Sequence, residues 1–169
     1  MRPLTDAEIR DSLVNAVDDE AEQLQLPLDY PLTEWSAIEF LGWRDPRFRQ
    51  RAYLVTVRDD GPVGIVLRAA TSTMSRRHSA ICNLCHTMQP ADQISLFSAL
   101  RAGDAGRQGN SIGTYICADL SCSGNVRLGA PLAPHEVRAP GQMERRIADT
   151  ARRTETFIDE VLGAAAAER

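Results

Sequence analysis

The sequence predicts an α+β fold: a small antiparallel sheet flanked by N- and C-terminal helices and organised around four cysteines. Three observations lead there. Apolar residues recur at helical spacing near the start and over the last long segment, while the middle alternates apolar and polar positions in short runs separated by turn residues. The Arg51–Arg58 run reads as a strand, with Tyr53, Val55 and Val57 alternating against Ala52, Leu54 and Thr56. The only four cysteines fall in two close pairs, Cys82-Asn83-Leu84-Cys85 and Cys117-Ala118-Asp119-Leu120-Ser121-Cys122.

Taken in order, Thr5 and Glu8 form a capping box that opens a helix. Ile9, Leu13, Ala16, Val17 and Leu24 continue it, and it is expected to stop before Pro27. Leu26 to Pro31 is an extended linker, because residues preceding proline avoid helical backbone. Glu34 to Trp43 reads as a short strand with a turn, Trp35 and Trp43 being core or linker anchors, and 44–49 as a loop. Asp59-Asp60-Gly61-Pro62 turns the Arg51–Arg58 strand into an antiparallel partner over Val63–Ala69. Thr71 to Ser79 is a polar connector, and Met88-Gln89-Pro90 a turn. Ile94–Leu100 and Gly113–Cys117 are strands. Arg101–Ser111, with three glycines and almost nothing apolar, is expected to be an exposed loop dispensable for folding. Cys122 sits at a turn or in the first turn of a short helix. Pro131, Pro134 and Pro140 make the following segment irregular, and Gln142–Gly163 is a long helix with a broken apolar stripe.

Composition narrows the function classes. At 169 residues with 43% apolar side chains, the chain has material for one core-bearing domain. A net charge of −4 disfavours a protein built to coat nucleic acid. No apolar run is long enough to span a membrane. Arg2, Asp6 and Glu8 interrupt the start, so no secretory signal is expected and the chain is placed in the cytoplasm.

Cytosolic thiols stay reduced, so paired cysteines there serve metal better than disulfides. A C-x-x-C turns both thiolates inward on one backbone knuckle, and a second pair completes a tetrahedral shell of four sulfurs, the shell that Zn²⁺ prefers. Cys82, Cys85, Cys117 and Cys122 are therefore the expected ligands of one structural zinc ion. His86, next to Cys85, remains an alternative donor. A knuckle, then strand, loop and strand, then a turn or helix carrying the second pair, is the order of a treble-clef zinc finger. Four thiolates leave no open coordination position for water, so no catalytic residue is expected.

Phe40-Leu41-Gly42-Trp43, the hairpin from Tyr53 to Leu67, Ile81-Cys82-Asn83-Leu84-Cys85, Ser95-Leu96-Phe97, Tyr115-Ile116-Cys117-Ala118-Asp119 and Phe157-Ile158-Asp159 follow one another in a familiar order. In this the chain resembles, over about residues 36 to 162, the C-terminal treble-clef zinc-finger domain of elongation-factor-G-binding proteins, the FusB-type fusidic-acid-resistance family. The resemblance implies a non-enzymatic protein with structural zinc that binds elongation factor G and helps it leave the ribosome. It also implies contact positions at Ile81, Tyr115 and Phe157, expected on one exposed patch beside the finger. The sequence departs from the resistance members at Ile112, where they carry lysine, in the one-residue-shorter second cysteine pair, and in the single helix expected ahead of the finger. A housekeeping relative fits those departures.

The domain plan is residues 1–35 as helix and linker, 36–163 as the finger-bearing domain and 164–169 as a frayed tail. The arginine pairs Arg76-Arg77, Arg145-Arg146 and Arg152-Arg153 carry the alternative of an RNA- or ribosome-binding module; no small-molecule substrate is expected.

Overall fold

The computed structural model describes residues 1–72, 74–128 and 139–163. The irregular segment expected through Pro131 and Pro134, His135 within it, and the tail at 164–169 lie outside the described residues.

In chain order the helices are α1 (Asp6–Asp11), α2 (Glu20–Gln23), α3 (Gly103–Arg107), α4 (Cys122–Leu128) and α5 (Gln142–Leu162). The strands are β1 (Leu41–Arg44), β2 (Arg51–Arg58), β3 (Gly61–Ala69), β4 (Ser79–Ile81), β5 (Met88–Pro90), β6 (Ile94–Leu100) and β7 (Ser111–Cys117). Five of them form an antiparallel sheet in the order β1-β2-β3-β6-β7, and β4 and β5 form a separate hairpin.

Strand alternation decides which side chains meet on each face. Ala52, Leu54, Ile65 and Leu67 face a core shared with the finger and α5, whereas Tyr53, Val55 and Val66 face one capped by the N-terminal segment. Both faces are covered, which is why β2 is apolar at successive positions. Trp43 is buried and tilts over Tyr53 with ring centroids 4.8 Å apart, and its indole N–H donates to the Gln25 carbonyl at 3.0 Å. The region read as one short strand from Glu34 is a 3₁₀ turn at Trp35–Ala37 followed by β1.

The N-terminal helix is shorter than its periodicity suggests. The capping box forms as expected, but α1 ends at Asp11 and only the short α2 precedes Pro27. The reason is tertiary. The backbone at Ser12–Val14 leaves helical bonding to pair with Gly64, the Val14 N–H reaching the Gly64 carbonyl and the Gly64 N–H reaching the Ser12 carbonyl, both at 2.9 Å. A methyl at Gly64 would lie 2.6 Å from the Ser12 hydroxyl, so the absent side chain is what lets the segment in.

Asn15 then does the work of a strand. β3 and β6 are paired only at Arg68↔Ser98 and Ala69↔Phe97. Two residues beyond Arg68 and Ser98 the buried Asn15 amide stands between Val66 and Leu100. It donates to the Val66 carbonyl at 3.1 Å and the Leu100 carbonyl at 2.8 Å, and accepts from the Val66 N–H at 2.7 Å. Glu20, also buried, accepts from the Val17 N–H at 3.2 Å and pairs with Arg68 and Arg51, tying α2 to the same face.

The segment Arg101–Ser111 is mostly exposed, as expected, but holds a helical corner where a loop was expected. α3 occupies its middle, and the Ala102 N–H donates to the Val161 carbonyl at 2.8 Å. Arg101 donates to the Glu160 carbonyl. Gly106 is buried so close to Arg101 that an added methyl would fall 1.8 Å from its carbonyl oxygen. The glycine content that suggested a loop instead permits a close approach.

α5 runs between left-handed glycines, Gly141 and Gly163, close to the expected bounds. Thr150, Thr154, Phe157, Ile158 and Val161 form its buried stripe. Glu155 accepts from the Thr56 hydroxyl at 2.8 Å and from Arg58 at 2.7 Å, and Asp159 pairs with Arg58 at 2.9 Å, so the helix is latched along β2.

Candidate metal centre

The finger is built from two backbone devices. The first is the β4–β5 hairpin, in register Ile81↔Met88, whose tip is the C-x-x-C knuckle. The sequence read Met88-Gln89-Pro90 as a turn; it is the returning strand, because Pro90 sits at the hairpin's open end where no further pairing is needed. In the knuckle the N–H groups of Leu84 and Cys85 point at the Cys82 sulfur, each at 3.4 Å. His86 adopts a left-handed backbone, and its N–H donates to the Cys82 carbonyl at 2.9 Å, closing the turn. The second device is the end of β7, which delivers Cys117, followed by a tight turn at Leu120 and the start of α4, which delivers Cys122.

These devices bring Cys82, Cys85, Cys117 and Cys122 together, all buried and unpaired by disulfides, with their sulfur atoms within 4.8 Å of one another. Cys82 and Cys122 lie 3.6 Å apart, as do Cys85 and Cys117. A tetrahedral zinc with Zn–S bonds of about 2.3 Å requires S···S separations of about 3.8 Å, so the four donors match that shell. Hydrogen bonds from Cys117 and Cys122 lower the Cys85 thiol below its ordinary range, while the contacts of Cys122 with the neighbouring sulfurs raise its own. Four buried sulfurs share their protons unevenly, and a divalent cation is what allows all four to be thiolates. His86 is exposed and outside the cluster, so the histidine alternative is not taken up.

Among the expected contact positions the structure draws a sharp distinction. Ile81 is 52% and Tyr115 46% exposed, but Phe157 is 5% exposed and belongs to the main core. The expectation that Phe157 shares the exposed patch is therefore corrected. α5 does fold back across the finger, the Arg153 guanidinium donating to the Leu84 carbonyl at 2.6 Å, yet position 157 falls in the middle of its buried stripe. Phe157 lines a shallow groove with Asn83, Thr114 and Arg152. Ile81 and Tyr115 are brought to neighbouring strands by the bond from the Asn83 N–H to the Tyr115 carbonyl at 2.8 Å. Met88, opposite Ile81 in the hairpin and 65% exposed, extends the apolar surface. Sequence reading missed it for want of the hairpin register.

Of the arginine pairs, Arg153 is engaged at the knuckle, whereas Arg76 and Arg152 keep 76% and 68% of their side chains exposed. Arg76 pairs with Asp92 at 3.2 Å, Arg152 with Asp149 at 2.9 Å, and Arg153 holds the knuckle. No helix among the described residues is long and apolar enough to cross a membrane.

The model of the FBP C-terminal treble-clef zinc-finger family matches residues 8–161. No curated protein and no solved structure matches the chain. The match takes in the N-terminal segment that caps the sheet, both cysteine pairs and nearly all of α5, and the four buried sulfurs fit one structural zinc ion. The chain thus belongs to the FBP C-terminal treble-clef zinc-finger family, the one its sequence resembles.

Proposed function

We propose that this protein is a non-enzymatic cytoplasmic adaptor that binds elongation factor G through apolar surface beside its zinc centre and promotes the factor's release from the ribosome. Family membership supports the choice of partner. The observation that carries the docking surface is the cluster of exposed large side chains, Ile81, Met88 and Tyr115, on the finger hairpin and the adjoining strand. Exposed apolar groups on a frame fixed by metal are suited to act as anchors, because little conformational entropy is lost when they are covered. A shell of four thiolates gives the metal no position for substrate or water, which fits a structural role. Release follows if the protein binds the departing conformation of the factor more tightly than the ribosome-bound one. Relief of fusidic-acid trapping would be an extension of that preference.

Calorimetric titration of elongation factor G tests the reading. Tyr115→Ala and Ile81→Asp should each weaken binding by roughly 1–3 kcal/mol, with zinc content and helical signal unchanged. Affinity should change little between low and moderate salt. No binding, or full affinity in both variants, would remove the reading. Binding to ribosomal RNA that falls steeply with salt would transfer it to phosphate contacts by the arginines.

A further inference from the structure

Zinc held by four thiolates carries a net charge of −2, and here all four sulfurs are buried. Such a charge needs hydrogen-bond donors around it. Cys82 has the two knuckle N–H groups. Cys117 faces the side-chain amides of Gln89, at 3.2 Å, and Asn125, at 3.4 Å. Cys85 lies 2.7 Å from the Thr87 hydroxyl, and the same Gln89 nitrogen lies 3.0 Å from the Thr87 oxygen.

We propose that Gln89 joins the two halves of the metal centre, donating one hydrogen bond directly to Cys117 and a second to Thr87, which relays it to Cys85, and that this relay sets the affinity for zinc. A metal-bound thiolate has no hydrogen to give, so the Thr87 O–H must donate to Cys85. That leaves the Thr87 oxygen free to accept from Gln89, whose amide then uses both of its hydrogens. The reverse amide orientation would put a carbonyl oxygen against an anionic sulfur, so the sulfurs themselves fix which way the amide points. The geometry comes from the hairpin, since Gln89 on β5 stands opposite Ala80 on β4 and reaches past Thr87 to the end of β7. The knuckle pair and the β7–α4 pair are separated by a long stretch of chain. Gln89 is the side chain that touches the surroundings of both.

The experiment uses the full chain. Zinc affinity is measured by competition with a chromogenic chelator, and the sulfur-to-metal charge-transfer bands are recorded after cobalt substitution. Gln89→Met keeps the length of the side chain and removes both donors. Zinc affinity should fall about 10–100-fold, the range for lost outer hydrogen bonds to a ligand. The cobalt bands should move to lower energy, because a thiolate without its donor gives charge to the metal more readily. Thr87→Val should do the same, Thr87→Ser should restore the wild-type values, and in the Gln89→Met background Thr87→Val should add less than it costs alone. Wild-type affinity and band positions in Gln89→Met would overturn the proposal. If that variant does not fold, the Thr87 pair decides: Val and Ser variants with the same bands and affinity would overturn it equally.

Discussion

Two aromatic side chains near the finger, Tyr115 and Phe157, differ mainly in how much of each is covered. Phe157 lies among Ile158, Val161 and the finger residues in the main core, so Phe157→Ala should leave a cavity and cost about 3–5 kcal/mol. Tyr115→Ala, at a half-exposed site, should change stability by less than about 1 kcal/mol. Chemical denaturation of both variants reads the contrast, and equal losses would place Tyr115 in the core as well. Tyr53 gives a pH signature. Burial, with the added effect of donating to Asp45 at 3.0 Å, pushes its phenol up to about 12. A folded-state pKa raised above the unfolded value means that its contribution is complete below pH 10 and is lost as pH rises toward 12. An alkaline titration should show Tyr53 ionising only as the fold is lost. Ionisation of Tyr53 at the ordinary tyrosine pH, with the fold intact, would contradict the packing.

At the scale of elements, the β3–β6 junction is where the sheet is most vulnerable. These strands share only two paired positions before Asn15 takes over the ladder. Asn15→Leu would leave the Val66 N–H and the Val66 and Leu100 carbonyls without their partner in a buried setting. We expect a loss of roughly 3 kcal/mol or more, since each stranded buried group costs about 1–3 kcal/mol. Hydrogen exchange should show the Val66 amide losing its protection first. A variant as stable as wild type would mean that β3 and β6 close directly on each other. Periodicity alone read Leu13, Ala16 and Val17 as a continuing helix; Leu13 and Ala16 do pack against the smaller core, but the backbone at Ser12–Val14 is claimed by β3. Conversely, the apolar run of β2 and the long stripe of α5 were legible because each element meets its partners along its whole length.

At the scale of the molecule, the metal sits inside the larger core. The four cysteines pack with Leu84, Ile116, Val126 and Phe157, so removing zinc exposes the same cluster that holds α5 against the sheet. Chelation should release about one equivalent of zinc and lower the melting temperature sharply, since structural zinc contributes on the order of ten kcal/mol. Cys82→Ser should behave like the chelated protein in metal analysis and thermal melting. A metal-free chain melting at the wild-type temperature would exclude a structural role for the ion. The smaller core under the N-terminal segment contains no cysteine and should be lost last, which near-ultraviolet signals from Trp43 and Tyr53 can follow.

Local chemistry was enough to fix several parts of this protein. Cysteine spacing specified the metal shell, the capping box started α1, runs of β-branched and apolar residues made β2 and β3, and flanking glycines bounded α5. Other features exist only because one segment completes another. Asn15 serves as a piece of strand, Gly64 and Gly106 are small because a neighbour passes close, Phe157 turns inward, and Met88 and Gln89 belong to a hairpin instead of a turn. The physical reason is common to all of them. Propensity and periodicity report what a segment favours on its own, whereas burial and hydrogen-bond satisfaction depend on partners distant in the chain, and where the two compete the buried polar groups prevail.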